Sequence, residues 1–104
     1  LTITVVAAVA IEQTRRFIGF DNKIAAAGAK ALGTNPVTAK ALEHMPVDSH
    51  GVILVEAGGA IALGTEVEGD AQGRAVTLAG GKSNGWAMDA ATAAGDLIRI
   101  IRGV

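Results

Sequence analysis

The segment Gly28-Ala-Lys-Ala-Leu-Gly-Thr34 recurs as Gly59-Ala-Ile-Ala-Leu-Gly-Thr65, with Ile61 in the place of Lys30. A looser third copy follows at Ala93-Ala-Gly-Asp-Leu-Ile98. Repeated segments typically mark one supersecondary unit that a chain uses more than once. Each copy comes after a glycine that opens an apolar run, so the predicted unit is a strand, a tight Ala/Gly corner and a second strand. The repeated feature is a backbone shape and not a reactive group, which favours a structural role over catalysis.

The composition predicts one domain with a thin core. The chain has 104 residues, enough for a single domain, and residues 1–104 are predicted to form one β domain. Half of the residues are apolar, but only two Phe and one Trp supply aromatic area. Small side chains bury little apolar surface per residue. Small proteins with such cores gain stability from association, so we expect neighbouring subunits to complete this one.

Charge and cysteine content exclude several classes of partner and site. The net charge is −1, whereas nucleic-acid binders present a basic face to phosphates, so no nucleic acid and no membrane is expected as a partner. The chain contains no cysteine, which excludes disulfides and thiolate ligands. No apolar run reaches the roughly 18 residues of a membrane span. The first residues lack the basic flank of a signal peptide, which predicts synthesis in the cytoplasm.

The first half of the chain carries three strand patterns. Apolar residues alternate from Leu1 to Ile11, which is typical of a strand with one buried face. A second strand is predicted at Phe17–Phe20 and a third at Val37–Met45, ending before Pro46. Lys23–Leu32 is rich in alanine, but its glycines favour a corner with at most one helical turn.

The second half carries the clearer local signals. Val52–Val55 is a continuous apolar run, typical of a central strand. Thr65–Glu68 and Arg74–Leu78 flank a glycine-bracketed loop and predict a hairpin. Trp86–Met88 and Leu97–Arg102 are the last predicted strands. The fold class is therefore mainly β: a small β-barrel or β-sandwich of seven to eight short strands, with Ala/Gly-rich corners and little helix.

Four segments together resemble a known family, and they are Gly19–Lys23, Gly51–Ala62, Gly69–Val76 and Ala93–Ile100. They are similar to the head-decoration, or capsid cement, proteins of tailed bacteriophages. The likeness runs from about Phe17 to Ile101 and rests on glycine and alanine positions. The segment Val5–Gln13 departs from it, because the proline and glycine expected before the second strand are missing. The path of the first strand therefore stays open.

The resemblance implies a virion protein that sits on the outer surface of the capsid, commonly as a homotrimer, and clamps the subunits of the major capsid protein. It implies no catalytic residue and no cofactor. The alternative is a small β-barrel module that binds a protein of a larger bacterial assembly. Oligomeric state and capsid binding distinguish the two hypotheses.

Two polar clusters are candidates for chemical sites. His44 and His50, with Glu43 and Asp48, have metal-ligand chemistry, but their spacing crosses Pro46 and matches no metal motif. Gly80-Gly-Lys-Ser83 resembles a phosphate loop, but Val76 stands where that motif requires glycine. Both read as solvated loops, so the prediction is no metal, no cofactor and no catalytic residue.

The candidate interface residues follow from the same patterns. Leu1, Ile3 and Val5 lie on the odd-numbered apolar face of the first strand, which is predicted to contact other subunits or the capsid within the arm 1–11. Arg15 and Arg16 are predicted on a solvated bend, with an ion pair to the capsid as the functional alternative. Trp86 is an interface candidate because tryptophan is enriched in hot spots, although the apolar residues after it favour the core.

Overall fold

The computed structural model describes residues 1–103, and these form strands and turns without a helix. The strands are β1 (Thr2–Val6), β2 (Phe17–Ile18), β3 (Gly33–Thr34), β4 (His44–Asp48), β5 (Gly51–Glu56), β6 (Val67–Gly69), β7 (Ala75–Thr77), β8 (Trp86–Ala87) and β9 (Leu97–Arg102). Across this part of the chain no helix is long and apolar enough to span a membrane. The mainly β prediction is confirmed, with nine strands in place of seven or eight.

The strands form three antiparallel sheets. The first has the order β1-β4-β3-β2, the second has the order β5-β9-β8, and β6 and β7 form a two-stranded hairpin. Most pairings are antiparallel neighbours within one half of the chain, and the sheets do not close into a barrel. The arrangement is sandwich-like.

The two halves of the chain, residues 1–50 and 51–103, repeat one plan. β1 pairs with β4 as β5 pairs with β9, so Val5 opposite Met45 corresponds to Val55 opposite Ile98. Beyond β1, Ile11 and Ala39 exchange two backbone hydrogen bonds of 2.8 and 3.0 Å. Beyond β5, Ile61 and Ala91 exchange two of 3.0 and 2.9 Å. Residues at matching places in the two halves are called counterparts below.

The turns of the two halves match as well. Gly19 N–H donates to Lys23 C=O at 2.8 Å, and Asp70 N–H donates to Arg74 C=O at the same distance. The residue just before the accepting carbonyl has a positive φ in each turn: 63° at Asn22 and 76° at Gly73. Farther along, Phe17 lies opposite Thr34, as Glu66 lies opposite Trp86. The repeat therefore covers the hairpins and the sheets alike.

Each half has its own buried core. The first core contains Ala7, Ile11, Ile18, Ala39, Met45 and Val47. The second contains their counterparts Ala57, Ile61, Val67, Ala91, Ile98 and Ile100. The second core also takes in Phe17, Ala25 and Ala31 from the first half, so the two halves are packed together through it.

The repeated segment itself does not mark this duplication, which corrects the sequence interpretation. Gly28 has a φ of +72° and its segment runs into β3, whereas the segment at 59–65 lies between β5 and β6. In that second copy the positive φ of +81° falls on Gly64, which matches Gly33 in sequence. The two nearly identical segments thus have different backbone conformations, and their places in the two halves are not equivalent.

Two strand predictions are wrong in their bounds. The first strand ends at Val6 and not at Ile11, which makes only an isolated bridge to Ala39. The predicted strand 37–45 is absent, because the strand is β4, which runs through Pro46. Pro46 is tolerated there because hydrogen bonds from Ser49 to Leu1 and from Ala7 to Glu43 set the bonded pairs on odd-numbered residues of β1. The missing N–H of Pro46 therefore points away from β1.

Of the remaining strand and corner predictions, three are confirmed and one is wrong. The hairpin β6-β7, the last strand at Leu97–Arg102 and the corner without a helix at residues 23–32 are confirmed. The run Val52–Val55 is not central, because β5 lies at one side of its sheet and β9 is in the middle.

Candidate functional site

The predicted interface face of β1 is mostly occupied within the chain. Ile3 and Val5 are half-buried and pack against the first core, and only Leu1 is strongly exposed, at 78%. The side chains on this face thus stabilise the chain itself. What β1 leaves open is its main chain along one side.

β1 is an edge strand whose outer side has no partner. β1 pairs with β4 alone, and the bonded pairs are those of odd-numbered residues. The N–H and C=O groups of Thr2, Thr4 and Val6 consequently point away from β4. Within residues 1–103 none of these groups makes a backbone hydrogen bond. Such an edge is a template for pairing with another chain.

The two arginines predicted on a solvated bend are engaged inside the chain. Arg15 lies 3.4 Å from Asp48, and Arg16 lies 2.9 Å from Glu56 with its side chain only 12% exposed. Arg16 also donates to the carbonyl of Gln72 at 3.0 Å. Arg16 therefore ties the first half to the second, and it is not free to pair with a carboxylate of another protein.

The aromatic residues separate into core and surface. Phe17 is fully buried, whereas Phe20 is 69% exposed and Trp86 is 41% exposed. The apolar residues after Trp86 favoured the core for this side chain, but it is partly exposed, and its role in an interface stays a prediction. Trp86 lies opposite Ile101, which lies opposite Val52, so these three residues form an apolar row across the second sheet.

This row belongs to an apolar surface that sequence reasoning missed. The outer face of the second sheet consists of Val52, Leu54, Glu56, Leu97, Arg99 and Ile101. Leu97 and Val52 are 52% and 53% exposed. The counterparts in the first sheet are Thr2, Thr4, Val6, His44, Pro46 and Asp48, which are largely polar. The signal was present in the sequence, because β5 and β9 carry apolar residues at both odd and even positions, the pattern of strands covered on both faces.

One ion pair crosses the outer face of the second sheet. Arg99 donates from Nε and Nη2 to the carboxylate of Asp89 at 3.0 and 2.9 Å. These hydrogen bonds, together with one from the Arg99 main chain, lower the pKa of Asp89 from 3.8 to about 2. The pair thus stays ionised over the ordinary pH range, and its two charges balance each other on the surface.

A polar cleft of about 420 Å³ lies beside β8, and its lining includes Lys30, Glu66, Ser83, Trp86 and Arg102. The Arg102 guanidinium donates to the carbonyls of Ala31 and Leu32 at 2.7 and 2.9 Å. Burial lowers the pKa of Arg102. Lys30 donates to the carbonyl of Ser83 at 2.7 Å. The two cations are therefore held by main-chain carbonyls, so their role in the cleft is structural.

The other polar clusters do not assemble. His44 begins β4 and His50 follows its far end, so the two imidazoles lie at opposite ends of the strand. Residues 1–103 contain no group of three or more His, Asp or Glu side chains that could hold a metal ion. In the glycine-rich loop, Lys82 N–H donates to Gly28 C=O at 2.9 Å, which packs the loop against the corner of the first half.

Comparisons with known proteins agree with this architecture. A family model described as phage cement protein matches residues 1–102. In structure the chain is similar to the N base of head fiber gp8.5 of bacteriophage phi29, with a TM-score of 0.76 and 17% sequence identity. That match covers 97% of this chain and 92% of the other, and it shows a shared fold. A search of curated proteins gave no match.

Proposed function

Because the chain belongs to the phage cement protein family, whose model spans residues 1–102, we propose that it binds the outer surface of a phage capsid as a homo-oligomer and stabilises the shell. Family membership makes the chain a structural, capsid-associated phage protein. The finer claims of the proposal are the outer surface, the oligomer, the major capsid protein as partner and the absence of catalysis. The family match over nearly the whole chain is the observation that carries them.

The outer face of the second sheet is the proposed capsid contact. Four of its side chains are apolar, and the exposed fractions of Val52 and Leu97 exceed one half. The ion pairs on it, Asp89 with Arg99 and Glu56 with Arg16, are both formed within the chain, so covering the face leaves no unpaired charge. Interface cores are typically depleted of charged residues and enriched in aromatic residues and Arg. Trp86 and Arg99 at this face fit that composition.

Multivalency supplies the affinity in this proposal. Each copy offers only a small apolar face, and a single contact of that size is weak. An oligomer that touches several capsid subunits makes its later contacts at roughly millimolar effective concentration, so weak contacts add up to firm attachment. The shell is stabilised because capsid subunits cannot separate without breaking several contacts.

The test uses capsids of the encoding phage that lack this protein. Purified chain is added, the shells are sedimented, and the release of packaged DNA on heating is followed by a fluorescent dye. The proposal predicts that the chain sediments with the shells in saturable amount and raises the temperature of DNA release. A chain that stays in the supernatant would contradict the proposal and favour a binding module of another assembly.

A matched pair of variants locates the contact. Leu97→Lys places a charge on the outer face of the second sheet, and Leu42→Lys places one at a turn of the first half where the side chain is 78% exposed. Both variants are expected to fold. Leu97→Lys is expected to weaken shell binding by about tenfold or more, since covering an added charge at the contact is costly. Leu42→Lys is expected to bind as the wild type does, and the reverse pattern would place the contact elsewhere.

A further inference from the structure

We propose that β1 of one copy of the chain docks in the cleft beside β8 of a second copy, in the way that β5 docks beside β3 within a single chain. This inference rests on the oligomer proposed above and names the two surfaces that form it. It concerns contacts between copies, so it can be tested on the isolated protein without a capsid.

The internal junction is the model for the proposed contact. Glu56 N–H donates to Arg15 C=O at 2.9 Å, and the Thr34 hydroxyl donates to Leu54 C=O at 2.9 Å. The outer side of β5 is thereby covered by the first half. Phe17 also shares the second core with Val55. The outer edge of β5, the first strand of the second half, is therefore already paired within the chain.

The matching side of β1 is open. Thr4 and Val6 are the counterparts of Leu54 and Glu56, because β1 pairs with β4 in the register in which β5 pairs with β9. In the described part of the chain, the Val6 N–H and the Thr4 C=O have no hydrogen-bond partner. The free Val6 N–H and Thr4 C=O therefore lie at the positions where the internal junction uses the Glu56 N–H as donor and the Leu54 C=O as acceptor.

The surface beside β8 that would receive β1 of a second copy, called the receptor surface, is open too. Gly64 is the counterpart of Arg15, because Arg15 N–H donates to Asn35 C=O as Gly64 N–H donates to Ala87 C=O, and both residues have positive φ. Trp86 is the counterpart of Thr34 and is 41% exposed, whereas Thr34 is fully buried beneath β5. The Gly64 C=O accepts no backbone bond from residues 1–103.

The cleft lies where this receptor surface predicts it. Glu66, Ser83 and Trp86 line it, and their counterparts Phe17, Ala31 and Thr34 are among the residues of the first half that contact the second half. The cleft is therefore the unfilled equivalent of the position that β5 occupies in the first half.

The chemistry of the two open surfaces matches. In the filled junction, the carbonyl of the apolar Leu54 accepts a hydrogen bond from the Thr34 hydroxyl. In the open one, Thr4 presents a hydroxyl to a cleft that contains Glu66 and Ser83. Two polar surfaces tolerate water before assembly and pair by hydrogen bonds on contact. Since donor and receptor surfaces differ, the contact is head-to-tail, and repeating it gives a ring when the rotation between copies closes and an open filament when it does not.

The test is cross-linking between copies, which the absence of native cysteine makes clean. Thr4→Cys protein is mixed with Trp86→Cys protein under oxidising conditions, and products are resolved on non-reducing gels. We expect covalent dimers in the mixture and higher oligomers from the double variant. Thr4→Cys mixed with Leu42→Cys is the control and is expected to stay uncrosslinked. Dimers from Thr4→Cys alone would show β1 pairing with β1 and overturn the proposal.

A second measurement covers variants that cross-link poorly. Val6→Pro removes the N–H proposed to reach Gly64 and keeps the bonds between β1 and β4. We expect the association midpoint in sedimentation to move about tenfold to higher concentration, the effect of one lost hydrogen bond. Thr2→Pro is the control, since its counterpart Val52 makes no hydrogen bond to the first half.

The outcomes separate the claims. An unchanged midpoint in Val6→Pro overturns the interface while the oligomer stands. A wild-type chain that remains a monomer at its highest soluble concentration overturns the interface and the oligomer together. Binding to shells is read independently in the capsid experiment.

Discussion

The two halves of the molecule share a backbone plan and differ in what covers them. Residues 51–103 have the leading strand capped by the first half and a core reinforced by Phe17. Residues 1–50 have an uncovered leading strand, β1, and a core without such a contribution. The outer faces differ in the opposite sense, apolar in the second sheet and polar in the first. A duplicated fold can thus expose different features in its two halves, here a strand edge in one half and an apolar sheet face in the other.

The largest effect is expected at Phe17, the residue that makes the two cores unequal. Phe17→Ala removes a fully buried ring from the second core and should destabilise the protein by about 3–5 kcal/mol. Phe20→Ala, at a side chain that is 69% exposed, should change stability by about 0.5 kcal/mol or less. Chemical denaturation followed by Trp86 fluorescence measures both. Equal effects would mean that the halves do not share a core.

Matched truncations test whether the cores are equivalent. Ile11 and Ile61 are 1% and 2% exposed, and each exchanges two hydrogen bonds with an alanine across its half. Ile11→Ala and Ile61→Ala should each cost about 2–5 kcal/mol, and the two values should be similar. Denaturation curves of the two variants provide the comparison. A cost confined to one variant would show that the two halves do not contribute equally to folding.

A pair of glycines tests the repeat at the level of the backbone. A Cβ at Gly33 would overlap the Asp48 carbonyl, and one at Gly85 would stand 2.8 Å from the carbonyl of Ile101, the counterpart of Asp48. Gly33→Ala and Gly85→Ala should therefore each lose about 3 kcal/mol. Gly59→Ala meets nothing within 4 Å and is the control. Thermal unfolding that ranks Gly59→Ala with the other two would contradict the counterpart assignment.

The smallest effect concerns the ion pair that only the second half has. The folded-state pKa of Asp89 is lowered to about 2, so its stabilising contribution is present above the unfolded pKa near 4 and is lost as the pH falls toward 2. Arg99→Gln should move the Asp89 midpoint back toward 3.8. Carboxyl carbon shifts in an NMR titration measure it. A midpoint that stays near 2 in the variant would assign the shift to other groups.

The sequence revealed what is encoded locally. The β6-β7 hairpin and the strand Leu97–Arg102 were predictable because alternation and turn residues suffice to define them. The two-residue strand at Gly33 exists only through partners distant in sequence, so no local pattern marks it, whereas the strand at Trp86 was predicted and is one residue shorter than expected. The prediction that a strand ends before Pro46 is wrong, because the orientation of the missing N–H of Pro46 depends on the register of β4 with β1, which no local pattern shows.

The duplication and the candidate site were only partly accessible. The repeated segment at Gly28 and Gly59 suggested a repeat, but in an Ala/Gly-rich chain similar segments recur at non-equivalent places. The true counterparts, such as Ile11 with Ile61, share environment more than local sequence. For the site, Leu1, Ile3 and Val5 were predicted as interface side chains, and that role stays a prediction, because Ile3 and Val5 pack against the first core and the feature that β1 leaves open is its main chain.

The central claim is that the outer edge of β1 is open in a single copy, whereas the equivalent edge of β5 is filled. Amide hydrogen exchange at Val6 and Glu56 tests it most directly, because Glu56 N–H donates to Arg15 C=O within the chain and the counterpart Val6 N–H is proposed to find its acceptor only in a second copy. The account predicts that the Glu56 amide is protected at every protein concentration. The Val6 amide should exchange rapidly in dilute protein and become protected when copies associate. A Val6 amide that stays unprotected in the associated protein would contradict it.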